Sequence, residues 1–135
     1  MVLVDTSVWI DFLRQGNEKL KALLEEGEVL THPLVVGELH VGNISKRKQF
    51  LRWLGDLPTV KECSHEEILY LIENRKLYGK GIGYFDSAIL CSAIVSETPL
   101  WTLDKRLADL AEAPIVCVRT LSPYADSPLA GKVRG

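Results

Sequence analysis

What this sequence lacks narrows its function first. No apolar run approaches the roughly 20 residues needed to span a bilayer, and the opening Met1-Val2-Leu3-Val4-Asp5 has no basic stretch, long apolar segment or small-residue cleavage site. A soluble, cytoplasmic protein is the expectation. Cysteine is scarce and odd in number: Cys63, Cys91 and Cys117 are far apart and sit in apolar surroundings such as Ile115-Val116-Cys117-Val118. That spacing excludes a disulfide framework and a cysteine-based zinc site, and points to buried thiols in a reducing compartment. Charge of one sign is also missing. A net charge of -2 argues against coating nucleic acid through bulk positive potential. The stretch from Lys46 to Lys80 is nonetheless locally positive, which fits either solvated helix faces or a phosphate-contacting surface. No complete nucleotide-loop motif is present, because Gly79-Lys80-Gly81-Ile82-Gly83 contains neither G-K-[ST] nor G-x-G-x-x-G, and no strand precedes it.

What is present is one domain's worth of chain, 135 residues with 47% hydrophobic and 25% charged, punctuated into alternating strands and helices. Val2-Leu3-Val4 is a short apolar run ending at Asp5, with Thr6 or Ser7 placed to cap a helix from Val8 to Gln15. Gly16 closes that helix, Asn17 opens a second, and Gly27 ends it. A strand is expected over Glu28 to Thr31, followed by a mostly apolar helix opened by Pro33 and carrying Glu38. A helix beginning at Ser45 presents Phe50, Leu51 and Leu54 on one face, and Thr59 to Cys63 reads as an edge strand. Ser64 and Glu67 form an S-x-x-E capping box for an amphipathic helix that closes near Gly79. After the glycine stretch, Asp86 stands at the N-terminus of a helix, Ser87 to Val95, that is apolar nearly all round. Leu100 to Leu103 is a strand ending at Asp104, which caps a helix from Lys105 to Glu112, and Ile115 to Val118 is a last strand. The tail from Ser122, about residues 122–135, reads as loosely held.

This order predicts an α/β fold in three layers: a parallel sheet of four to five strands with helices on both faces. In such a sheet ligands bind outside the carboxyl ends of the strands, where strand order reverses. Asp5 and Asp104 end strands, Asp86 begins a helix and Glu38 interrupts an apolar one. Taken singly, the aspartates are explained by helix capping and Glu38 by exposure. Together they form a carboxylate set without neighbouring His or Cys, the donor chemistry that selects Mg²⁺ or Mn²⁺ over zinc. Such an ion activates water for in-line attack on phosphorus, so the expected reaction is phosphodiester hydrolysis leaving a 5′-phosphate and a 3′-hydroxyl.

The same residues resemble a known family. Val4-Asp5-Thr6-Ser7-Val8-Trp9-Ile10, Val36-Gly37-Glu38-Leu39, Tyr84-Phe85-Asp86-Ser87-Ala88-Ile89-Leu90 and Trp101-Thr102-Leu103-Asp104 are similar, in order and spacing, to the acidic motifs of PIN domains. The one small departure is Ser87, where the family often has Ala. The resemblance covers Met1 to about Val118, and at this length it implies a VapC-type toxin. It implies a magnesium-dependent endoribonuclease, usually dimeric, inhibited by a cognate antitoxin. The catalytic and metal-holding residues are then Asp5, Glu38, Asp86 and Asp104, with Ser7 and Thr102 in support through their hydroxyls; Asp109 reads as solvated.

Other readings of these residues stay in view. A phosphatase with an aspartyl nucleophile requires D-x-D, and here the second acid is replaced by Ser7. A histidine ribonuclease needs two imidazoles at one phosphate, whereas His32, His40 and His65 fit surface or capping positions. Trp9 and Trp101 lie in apolar elements and fit core or dimer contacts better than base stacking. A PIN-like domain without catalysis, kept to bind a partner, is the alternative that is not an enzyme.

Overall fold

The computed structural model describes residues 1–111. The short apolar run after Met1 forms β1 (Val2–Val4), and Asp5 then opens α1 (Thr6–Gln15). Gly16 closes α1 at φ +81°, where a side chain would be strained, and Asn17 caps α2 (Glu18–Glu25) by accepting from Leu20 N at 3.0 Å. β2 (Val29–Leu30) leads to His32 and to α3 (Pro33–Val41), in which Pro33 occupies the first turn as its lost N–H permits. Then come α4 (Arg47–Gly55), α5 (His65–Arg75), α6 (Tyr84–Val95) and β3 (Leu100–Trp101), and residues 105–111 are helical.

The strands pair in the order β2-β1-β3, all parallel, with Val2 opposite Val29, Leu3 opposite both Leu30 and Leu100, and Val4 opposite Trp101. Successive side chains of a strand face opposite sides, so the complete burial of both Leu3 and Val4 means that both faces of the sheet are covered. One apolar cluster joins β1, β2 and helices α1 to α4 through Val8, Trp9, Leu20, Val35 and Leu54. The other joins α5, α6 and the 105–111 helix through Leu71, Leu90, Ile94 and Leu107. Helix α6 serves both: Ile89 and Ala93 belong to the first cluster, while Ala88, Cys91 and Val95 belong to the second. This explains its unbroken apolar sequence. Trp9 is wholly buried and meets Phe12, Phe50 and Trp53 edge-on at ring distances of 5.9–6.1 Å, a core role. Cys91 is buried and Cys63 packs half-buried against the same cluster. Among the described residues no helix is long and apolar enough to cross a membrane.

The α/β class and the parallel sheet are as expected, and among the described residues the sheet has three strands; other expectations are corrected. The segment Thr59 to Cys63 makes a single parallel bridge, Thr59 to Thr31, and leaves the sheet after Val60 N bonds Thr31 O at 2.8 Å. The strand expected at Ile115 to Val118 and the tail from Ser122 lie outside the described residues. Helix α4 starts at Arg47, after Lys46 in a left-handed conformation, and is not capped by Ser45. Helix α5 ends at Arg75 rather than near Gly79. Lys76 turns left-handed and Leu77 N reaches back to Ile72 O at 3.0 Å, so the burial of Leu77 ends the helix where a glycine was expected to do so. The capping box itself is complete, with Ser64 N donating to Glu67 Oε1 at 2.8 Å and Glu67 N to Ser64 Oγ at 3.2 Å.

Candidate active site

Because β1 lies between β2 and β3, the chain leaves β1 toward one side and later returns to its other side, which makes the carboxyl ends of β1 and β3 the switch point of the sheet. The helices that follow these two strands diverge. Val8 and Trp9 of α1 enter one apolar cluster, whereas Leu107 and Ala111 of the 105–111 helix enter the other, so the two helices leave the strand ends toward different parts of the core.

Asp5 sits on one lip. Its backbone N–H bonds Trp101 O at 2.9 Å, which continues the ladder and pins it beside β3. Of the caps open to α1, Thr6, Ser7 or Asp5, it is Asp5 that caps, with Ser7 N donating to its Oδ2. The same Oδ2 accepts from Ser7 Oγ at 2.7 Å and from Thr102 Oγ1 at 2.8 Å, so three donors converge on one oxygen of a carboxylate only 7% exposed. Among the described residues Oδ1 accepts no hydrogen bond. Hydrogen bonds extend the set: Leu103 N donates to Ser7 Oγ at 2.9 Å and Asp104 N to Thr102 Oγ1 at 3.1 Å. Asp104 caps the next helix through Oδ1, which accepts from Arg106 N at 2.9 Å and Leu107 N at 3.4 Å. For both aspartates the capping reading and the site reading hold at once, because each caps with one oxygen and keeps the other.

Asp86 and Glu38 approach from α6 and α3. Asp86 lies in the first turn of α6, which begins at Tyr84, three residues ahead of the expected Ser87. Burial pushes its carboxyl above the ordinary range; a backbone hydrogen bond at Gly83 opposes this, and the charges of Asp5 and Asp104 add to it. Glu38 is exposed, and partial desolvation followed by the charges of Asp5 and Asp86 raises its pKa as well. The buried Thr6 hydroxyl makes no hydrogen bond of good geometry, yet it lies near enough to Glu38 to favour the charged form. Asp5 and Asp86 are therefore the middle of the group, with Glu38 and Asp104 on its flanks. Ser87 fits its place on α6 because its hydroxyl is absorbed by Gly83 O at 3.0 Å. Asp109 is exposed, as expected.

The donors are all carboxylate oxygens whose mutual repulsion lacks a full counter-charge, which is the chemistry of a hard divalent cation. As placed, however, no three His, Cys, Asp or Glu side chains among the described residues stand close enough to enclose an ion. Two participants escaped the sequence reading. Thr6 was visible only as a capping residue, and Arg106, whose charge favours ionised Asp86, looked like any basic residue on a helix surface. Of the histidines, His32 takes a capping role, as expected, but from a buried position. It is 2% exposed, caps α3 through Nδ1 from Leu34 N at 3.0 Å, and meets Ser92 Oγ through Nε2 at 3.1 Å. His40 is exposed on α3, and His65 bonds Tyr84 Oη at 2.8 Å.

The fold is that of an α/β protein with electrostatically coupled carboxylates near the carboxyl ends of its parallel strands. Residues 2–113 match the PIN domain, so the chain belongs to the PIN-domain family. Ribonuclease VapC32 of Mycobacterium tuberculosis, from strain CDC 1551 / Oshkosh and from strain ATCC 25618 / H37Rv, is 42% identical over 124 residues, covering 90% of this chain and all of the relative. That likeness places the chain among the VapC-type members of the family. No solved structure matches it significantly.

Proposed function

We propose that this protein is a Mg²⁺-dependent endoribonuclease, with Mn²⁺ as a possible substitute, that hydrolyses RNA phosphodiester bonds as the toxin of a VapBC-type toxin–antitoxin pair. The observation that supports this is the electrostatic coupling of Asp5, Glu38, Asp86 and Asp104, in which partial burial first, and the neighbouring carboxylates after it, raise Glu38 and Asp86 above the usual carboxylate range. The relative named as a ribonuclease adds the substrate class.

In this reading Asp5, Glu38, Asp86 and Asp104 would hold the cation, their side chains drawing closer around it than they stand without it. When bound, a divalent ion polarises the phosphodiester and activates the attacking water. Ser7 and Thr102 fix Asp5 by occupying Oδ2, which leaves Oδ1 as the oxygen available to the ion. Asp104 is held in the same way, its Oδ1 committed to the helix N-terminus. Water oxygen bonds to phosphorus, the P–O3′ bond breaks, and O3′ leaves with a proton, giving a 5′-phosphate and a 3′-hydroxyl. The protein acts in the cytoplasm as a homodimer of single-domain chains. Its acidic crevice suits an Arg or Lys supplied in trans by the cognate antitoxin.

Purified protein is expected to cut RNA with Mg²⁺ or Mn²⁺ and to stop in EDTA. Expressed alone it should arrest growth, and co-expression of the adjacent small reading frame should relieve the arrest. A wild type inert across a broad RNA panel that binds no divalent metal would favour the partner-binding reading. Cleavage without arrest would leave the nuclease standing and remove the toxin.

A further inference from the structure

The glycine stretch 79–83 has no part in the chemistry above, yet it shapes the rim of the crevice. Gly81 stands at φ +79°, and a Cβ added there would fall 2.5 Å from Nη1 of Arg106, 3.1 Å from its Cδ and 3.3 Å from its Cζ. The guanidinium therefore lies on the bare backbone of Gly81, in space that any side chain at that position would occupy. Arg106 belongs to the first turn of the helix capped by Asp104, and Gly81 lies in the loop that delivers Asp86. The contact thus stations a cation across the gap between two of the carboxylates.

The guanidinium is not consumed there. Among the described residues its nearest carboxylate atom is Asp104 Oδ1, 3.9 Å from Nε and beyond hydrogen-bond distance; its charge also reaches Asp86, and 67% of the side chain is exposed. Among the described residues the guanidinium donates no hydrogen bond. A strong Arg–carboxylate pair is commonly short and bidentate, and the single 3.9 Å approach to Asp104 is neither, so the fork is left with donors to offer a ligand. RNA approaching four carboxylates meets repulsion, and a forked cation at the rim offsets it where the backbone enters.

We propose that Arg106, seated on Gly81, binds a non-bridging phosphate oxygen of the RNA strand at the mouth of the crevice. This rests on the ribonuclease reading and assigns the backbone contact within it. Lysine would keep the charge and lose the fork; alanine at position 81 would unseat the guanidinium while leaving the arginine in the chain.

The test measures anisotropy of a fluorescein-labelled single-stranded RNA across a KCl series, in an Asp5→Asn background that holds RNA without cutting it, beside cleavage rates in the otherwise wild-type protein. Arg106→Ala is expected to weaken binding several-fold and to lower the slope of log affinity against log salt by about 0.7, the loss of one phosphate contact on a single strand. Arg106→Lys should restore the slope but only part of the cleavage rate. Gly81→Ala should weaken binding in the same direction, and if it does not fold, the two Arg106 variants decide. A wild-type slope in Arg106→Ala overturns the assignment, even if cleavage falls, because the arginine would then act by holding Asp104 or the loop. A wild-type chain that cuts no RNA overturns the ribonuclease reading itself, an outcome distinguishable from an active enzyme indifferent to Arg106.

Discussion

Asp5 and His32 have the same local job and different fates. Each follows a parallel strand, caps the next helix and is nearly buried. Asp5 ends the central strand and opens onto the gap beside β3, where hydroxyls and other carboxylates gather around it. His32 follows the flanking strand and is sealed against Ser92 of α6. Since Leu34 N donates to Nδ1, the ring is neutral with its proton on Nε2 toward Ser92, and burial lowers its pKa, opposed by Glu62. The difference teaches that a cap becomes a site through its position in the sheet, because the switch point is where a buried charge can meet a ligand.

The largest effect expected at the crevice side of this comparison is on activity. Asp5→Asn and Asp86→Asn should each lower RNA cleavage about a thousandfold or more, the equivalent of about 4 kcal/mol of lost charge stabilisation, with circular dichroism unchanged. Asp86→Asn should also raise the melting temperature of metal-free protein at neutral pH, since it relieves repulsion. Thr102→Val, which keeps the shape and deletes the hydroxyl bridging Asp5 and Asp104, should weaken Mg²⁺-supported cleavage roughly 10–100-fold, read from rates across a Mg²⁺ titration.

At the other cap the effect should fall on stability. His32→Ala removes a cap and a buried hydrogen bond and should cost about 1–3 kcal/mol by urea unfolding, while activity per folded molecule is retained. Loss of cleavage in that variant without loss of stability would erase the distinction between the two caps.

The smallest effect is on pH dependence, where the two regions carry opposite signs. His32 is depressed in the folded state, so its contribution is present above its ordinary value of 6.5 and is lost as pH falls toward the folded value. Glu38 and Asp86 are raised, so the folded metal-free protein holds their protons more tightly, and stability declines as pH rises through the window above 4.5 and 3.8 respectively. Melting curves from pH 4 to 7 should separate these signs, with Mg²⁺ removing the second and His32→Asn removing the first.

Much of this was legible in the residues. The capping box at Ser64 and Glu67, Pro33 at a helix start and Asn17 as a cap are local signals, in which a side chain satisfies backbone groups a few residues away. The acids at strand and helix ends were legible for the same reason. The end of α5 was not, since Lys76 is no preferred left-handed residue and only the burial of Leu77 explains the turn. Nor was the brevity of the pairing after Thr59, where a β-like run meets one partner residue and departs. A capping role for His32 was legible, but its burial against Ser92, 60 positions away, was not.

By itself the sequence determined the α/β class and several helix caps, those of Asn17, Ser64 and Asp104 among them, because these rest on periodicity and on bonds within a turn of chain. The tertiary structure alone decided the strand order β2-β1-β3, which sets Asp5 beside Thr102 and the end of β3, and it alone seated Arg106 on Gly81. Those outcomes depend on contacts between distant segments, and such contacts are chosen by the packing of two apolar clusters around α6 rather than by any local preference.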